Sequence, residues 1–324
     1  MERNLGDKTN PRLSTNSGPT DQPHQQQKRL PSSSLEIEVK LGWDQANRQS
    51  VALKTFRIEP STFRDHPPSS RLLKYEIKSM DRVTPHHNIV RLLKVVVRSP
   101  SNVCLVMEAA AASRGDLMQT IAAAPEGRLR PDTARFYLGQ LLDAVQHCHS
   151  KGVCHRDIQP HNLLVDKRSG NIKLSGFGRA GVWDTTAGDT TDLEFGSNAA
   201  LLPQDAPEVV KGYRYCGKAA DCWSVGATLF TMLAGFSPFT ADHAKVGAYG
   251  RYFQPSPWVC PLACSLVEGL LEPDAEKRFT IAEVRAHPWF VQVRCSNGNS
   301  RGSSTSSSTT NASSDASSSS DDGE

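Results

Sequence analysis

The stretch from His155 to Gly178, HRDIQPHNLLVDKRSGNIKLSGFG, constrains this chain more than any other. It holds an acid, Asp157, and an amide, Asn162, five positions apart, then a β-patterned run at Ile172 and Leu174 that leads into Phe177-Gly178. An acid and an amide so spaced on a loop before a β-hairpin suit a site where one group orients a hydroxyl and the other holds a metal ion. For an isolated Asp and Asn, loop capping is the competing reading. What the rest of the chain supplies decides between them.

Order begins at Leu35. Val51-Ala52-Leu53-Lys54-Thr55-Phe56 alternates apolar and polar residues as a half-buried strand does, with Lys54 facing away from Val51 and Leu53. From Arg71 to Val83, Leu72, Leu73, Glu76, Ile77 and Met80 recur at helical spacing. Glu76 therefore projects beside the apolar stripe and can reach back to a strand lysine. Val103 to Glu108 reads as another buried strand. Residues 131–150 open on Pro131 and carry apolar residues at 134, 138, 141, 142, 145 and 148, the pattern of a buried helix that delivers the chain to Gly152 and the loop. His86 and His87 lack metal-ligand partners at useful spacing and read as structural.

Composition narrows the function classes. With 38% hydrophobic residues in 324, the chain can build one large or two small cores. A net charge of +3 makes no strong case for nucleic acid or an anionic membrane. The eight cysteines form no Cys-x-x-Cys pair and read as reduced thiols of an intracellular, cytoplasmic protein. The start of the chain has no secretory apolar segment, and no run is long enough to span a bilayer. Residues 1–34 and 293–324 are polar and are expected to be disordered, leaving one domain over 35–292. The Ser-rich tail stays open between a phosphorylated segment and a merely solvated one.

Taken together the motifs resemble the eukaryotic protein kinase domain family, Ser/Thr type, and are similar to calcium/calmodulin-dependent and AMP-activated-type kinases. HRDIQPHN matches the catalytic loop H-R-D-x-x-x-x-N, and SGFG falls where the family has D-F-G. VALK, HHNIVRLL, Ala206-Pro207-Glu208, the Asp221 to Gly226 run, TMLAGFSPF and LLEPDAEKRFTIAEVRAHPWF match further motifs in the right order over about residues 36 to 292. The resemblance implies an α+β, bilobal protein-kinase-like fold. Its small antiparallel-sheet lobe would cover about 35–108 and its large mainly helical lobe about 111–292, with an ATP cleft between.

Site roles follow from the same resemblance. Asp157 would orient the substrate hydroxyl as base, Asn162 would ligate a metal, and Lys54 and Glu76 would form the nucleotide-binding ion pair. Glu108 to Ala110 would be the hinge that holds adenine through backbone groups, with Met107 guarding the inner pocket. Asp116 is either a helix N-terminal acid or a ribose contact. Asp221 would hold the catalytic-loop backbone, Arg278 would pair with Glu208, and Arg156 could receive a phosphate on Thr185, Thr186, Thr190 or Thr191.

Several positions depart from the pattern. Gly176 stands where the metal-binding Asp belongs, Gln159 replaces the lysine two residues after the Asp, and His161 replaces the Glu before Asn162. Val39 keeps the register of the Val that closes the Gly-rich loop, about fifteen residues before Lys54. The glycine positions, however, are Ser32, Ser34 and Ile37, and the lead-in strand falls on HQQQKRLP. Before Ala206 only Gly196-Ser197 of G-T/S-P-x-Y-x-A-P-E survive, in a segment stretched by about three residues. Each lost electrostatic contributor to phosphoryl transfer costs on the order of 10²- to 10³-fold. The expectation is therefore a pseudokinase or impaired kinase serving as an interaction or regulatory module, with ATP and magnesium both bound weakly. The alternative is an active Ser/Thr kinase with non-standard nucleotide handling. Protein partners or a protein substrate are expected, not nucleic acid or membrane, and the oligomeric state is open. Because Gly176 and Gln159 belong to a solvent-accessible cleft in the family, the fold is expected to accommodate both Gly176→Asp and Gln159→Lys.

Overall fold

The computed structural model describes residues 27–28, 35–58, 68–99, 101–109, 115–166, 169–183, 202, 204–212, 215–239 and 259–291. The smaller lobe is an antiparallel sheet of β1 (Gln27–Lys28), β2 (Leu35–Asp44), β3 (Gln49–Ile58), β4 (Leu92–Ser99) and β5 (Asn102–Glu108), in the order β1-β2-β3-β5-β4. Residues opposite each other on paired strands share a face, so the register sorts the side chains. Phe56 faces Ile37 and Val103, and Lys54 faces Val39 and Leu105. That face packs through Phe56, Val103 and Leu105 on Leu73 and Ile77 of helix α1 (Pro68–Val83). The opposite face buries Val51, Cys104 and Val106 against Leu53, Leu93 and Val96.

Gln27–Lys28 pairs with Glu38 and Ile37, so a strand exists inside the polar segment before Leu35. An edge strand is held by backbone hydrogen bonds and needs no apolar alternation, which is why its side chains announce nothing. The rest of residues 1–34, and residues 293–324, lie outside the described residues.

The larger lobe carries α2 (Leu117–Ala122), α3 (Pro131–Ser150), α4 (Pro207–Val210), α5 (Gly217–Ala234), α6 (Pro261–Leu270), α7 (Ile281–Ala286) and α8 (Pro288–Val291). Two small ribbons join them: β6 (Val153–Cys154) with β9 (Gly181–Val182), and β7 (Leu163–Val165) with β8 (Ile172–Leu174). Helix α5 is buried nearly all round, as a helix apolar on every face must be. Gly226 makes this packing close, because a Cβ there would lie 2.6 Å from Leu270 Cβ on α6. Helix α3 buries Ala134, Leu138, Leu141, Leu142, Val145 and Cys148, the stripe its periodicity predicts. The lobes meet where Val90 N–H donates to Leu174 O at 2.9 Å and Leu174 N–H donates to Asn88 O at 2.7 Å. No described helix is long and apolar enough to cross a membrane.

Candidate active site

The loop between β6 and β7 is hung from one carboxylate. Asp221 on α5 is fully buried, and its oxygens accept the His155 N–H at 2.9 Å, the Arg156 N–H at 2.8 Å and His149 Nε2–H at 2.8 Å. Burial alone would raise this carboxyl, but the His149 hydrogen bond and charge, with the backbone donor, hold it below its ordinary value. The anchor sets Arg156 at φ +63°, a conformation a non-glycine residue takes only when its surroundings impose it. Cys154 lies near enough for His149, Cys154 and Asp221 to form a metal-type cluster. Here, however, the carboxylate is already engaged by its three donors, and burial pushes the Cys154 thiol well up.

His155 is buried, and burial lowers its pKa against the opposing charges of Asp221 and Asp157. Its Nδ1 accepts the Asp157 N–H at 3.2 Å while its Nε2–H donates to Ser175 O at 2.9 Å, and its ring meets Phe177 edge-on at 4.6 Å. The first loop thereby holds the second, and Asp157, Asn162 and Gly176 converge.

Both oxygens of Asp157 are engaged. Oδ1 accepts Gln159 Nε2–H at 2.6 Å and Oδ2 accepts Asn162 Nδ2–H at 2.8 Å; the same amide also donates to Asp157 O at 2.7 Å. Burial raises the Asp157 carboxyl, against the opposing pull of His155, Arg179 and these hydrogen bonds. Gly176 is left-handed, at φ +84° and ψ 42°, and a Cβ there would lie 2.6 Å from Asn162 Cγ and Oδ1. The Asn162 amide thus leans into the space that a side chain at 176 would take. At this point the donor set is one amide oxygen with no carboxylate from position 176.

Across the cleft Lys54 Nζ donates to Glu76 Oε1 at 2.6 Å, and Glu76 is 3% exposed. Of the hinge, Glu108 and Ala109 are described, and Ala110 lies outside the described residues. Glu108 N–H is spent on Arg91 O at 3.0 Å, and its side chain accepts the Arg91 N–H at 2.8 Å and Lys173 Nζ at 2.9 Å. Asp116 is the N-cap of α2, accepting the Gln119 N–H at 2.8 Å, with His161 Nδ1 at 3.2 Å from its other oxygen. Its helix-acid role is thus visible in the geometry.

Farther along, Arg278 is wholly buried and reaches Glu208 through a two-pronged pair, Nη1 to Oε1 at 2.6 Å and Nη2 to Oε2 at 2.9 Å. Three residues that sequence reasoning did not single out also enter. Arg179, on the 3-10 turn Phe177–Arg179, pairs with Asp205 at 3.0 Å, and Gln204 Nε2–H donates to Gln159 Oε1 at 3.1 Å. Gln204 and Asp205 occupy the Tyr and x of Y-x-A-P-E, a mismatch that was the only signal for them. Ser32, Ser34, Gly196-Ser197 and the threonines at 185, 186, 190 and 191 lie outside the described residues.

A small sheet lobe on a helical lobe, a loop hung from the α5 carboxylate, and a Lys–Glu pair across the cleft define a protein-kinase-type domain. The chain belongs to the protein kinase domain family, whose model matches residues 37–290. It is 36% identical over 268 residues to CBL-interacting protein kinase 24 of Oryza sativa subsp. japonica, covering 79% of this chain and 54% of that one. It is 38% identical over 223 residues to CBL-interacting serine/threonine-protein kinase 24 of Arabidopsis thaliana, covering 67% and 47%. The chain thus aligns with about half the length of these relatives, the second of which is named a serine/threonine-protein kinase.

Proposed function

We propose that this member of the Ser/Thr protein kinase family is a pseudokinase or catalytically impaired kinase, working as an interaction or regulatory module. The observation that carries the reading is at Gly176. Magnesium wants near-octahedral oxygen ligands, ordinarily with one or two carboxylates. Gly176 offers none, and Asn162, whose Nδ2–H donates to Asp157, leaves only its Oδ1 as a neutral ligand. These donors do not fit the ion, so ATP should bind weakly and gain little from magnesium. Asp157 accepts one hydrogen bond on each oxygen, from Gln159 and Asn162, which orient the carboxylate while each oxygen keeps a lone pair for a hydroxyl proton.

The test is phosphate transfer from radiolabelled ATP with magnesium to a panel of Ser/Thr peptides, using the full chain and Asp157→Ala as blank. Transfer no greater than the blank's is expected. Robust transfer that vanishes in the blank would establish the second reading, an active Ser/Thr kinase, which the closed Lys54–Glu76 pair favours. A protein is the partner or substrate we infer in either case. The relatives are named for interaction with CBL, and a binding assay with CBL protein asks whether that extends to this chain.

A further inference from the structure

The departures of this chain from the family motifs meet in one place. Gln204 holds Gln159 at 3.1 Å, Gln159 holds Asp157 at 2.6 Å, and Asp205, next to Gln204, holds Arg179 at 3.0 Å. Arg179 follows Gly176 by three residues, at the end of the 3-10 turn that Gly176 opens. Its side chain is 15% exposed, and only Nη2 is used. Nε and Nη1 are buried without a partner among the described residues. Buried donors left unmade are costly, and a guanidinium edge matches the oxygens of a phosphate. The charge is also felt at the site, since Arg179 is among the groups opposing the burial of Asp157.

We propose that Arg179 binds the terminal phosphate of a nucleotide in the cleft, supplying as a fixed charge the help that Gly176 and Gln159 do not. The assignment rests on the reading that magnesium contributes little here. Asp205 is the positioning residue: it orients the guanidinium and partly neutralises it.

The test uses the full chain with ATP or adenosine, following melting temperature and calorimetric affinity in EDTA and again with magnesium. Without metal, ATP should stabilise more than adenosine does. Arg179→Gln should cut ATP affinity about tenfold toward the adenosine value, and Arg179→Lys should keep part of the difference. Asp205→Asn, which frees the guanidinium, should widen it. Because Arg179→Gln strands a buried Asp205, the pair Arg179→Gln with Asp205→Asn serves as the folded comparison. An ATP advantage that survives in that double variant overturns the assignment alone, as does a drop in ATP affinity with Asp205→Asn. An advantage that appears only with magnesium sinks the low-magnesium reading as well. Equal effects of ATP and adenosine, or none from either, also refute the assignment.

Discussion

At Gly176 one missing side chain decides the posture of its neighbour. An aspartate is accommodated there only if Asn162 swings aside, since its Cβ would fall 2.6 Å from the Asn162 side chain. Left-handed backbone adds strain, although Asp bears it better than most residues. Gly176→Asp should therefore displace Asn162 from Asp157 and cost about 1–3 kcal/mol. Urea unfolding measures it, and adding Asn162→Ala should return part of the loss, a non-additivity typical of touching residues. Strictly additive losses would show that Asn162 is not the obstacle. The glycine was legible as a lost ligand. That Asn162 fills the space was not, because a side chain's direction is set by neighbours remote in sequence.

Elements meet at the C-terminal end of α3, where His147 joins the segment after α1. His86 stacks on His87 at 4.4 Å and on His147 at 4.5 Å, while His147 Nε2 lies 2.9 Å from Val83 O. Reading His86 and His87 as structural agrees with this stack, whose third ring comes from another helix. Burial, with His147 and His87 alongside, lowers the His86 pKa to about 4, with Asp143 opposing and Lys173 reinforcing. The unfolded chain protonates first as pH falls from the ordinary value of 6.5 toward about 4, so His86 withdraws stability across that window. His86→Phe keeps a stacking ring without the titration. Its melting temperature should fall less between those pH values than the parent's, and parallel curves would refute the role. The α3 stripe was readable from its 3.6-residue period; the stack joins residues about sixty apart and has no period to read.

Across the whole molecule, segments far apart are tied by a few buried polar groups. Arg278, before α7, donates to both Glu208 oxygens on α4, to Glu272 O at 2.9 Å and to Ala219 O at 2.8 Å. Arg278→Ala would strand that carboxylate and those carbonyls, costing roughly 3–5 kcal/mol. Thermal unfolding should show the drop, with Arg278→Lys recovering little because an ammonium cannot form the two-pronged pair. A loss below about 1 kcal/mol would place the pair among ties that contribute little.

The sequence alone determined the succession of elements, the two-lobed α+β plan and the Glu208–Arg278 and Lys54–Glu76 partnerships. Strand and helix periods are local properties, and motif order carries the rest. Tertiary structure alone decided where the polar side chains turn. Asn162 folds over Gly176 onto Asp157, Gln204 and Asp205 clasp Gln159 and Arg179, and β1 forms from a segment without apolar pattern. Polar side chains carry no periodic signal, and the partners that satisfy them are assembled only when distant stretches of chain pack together.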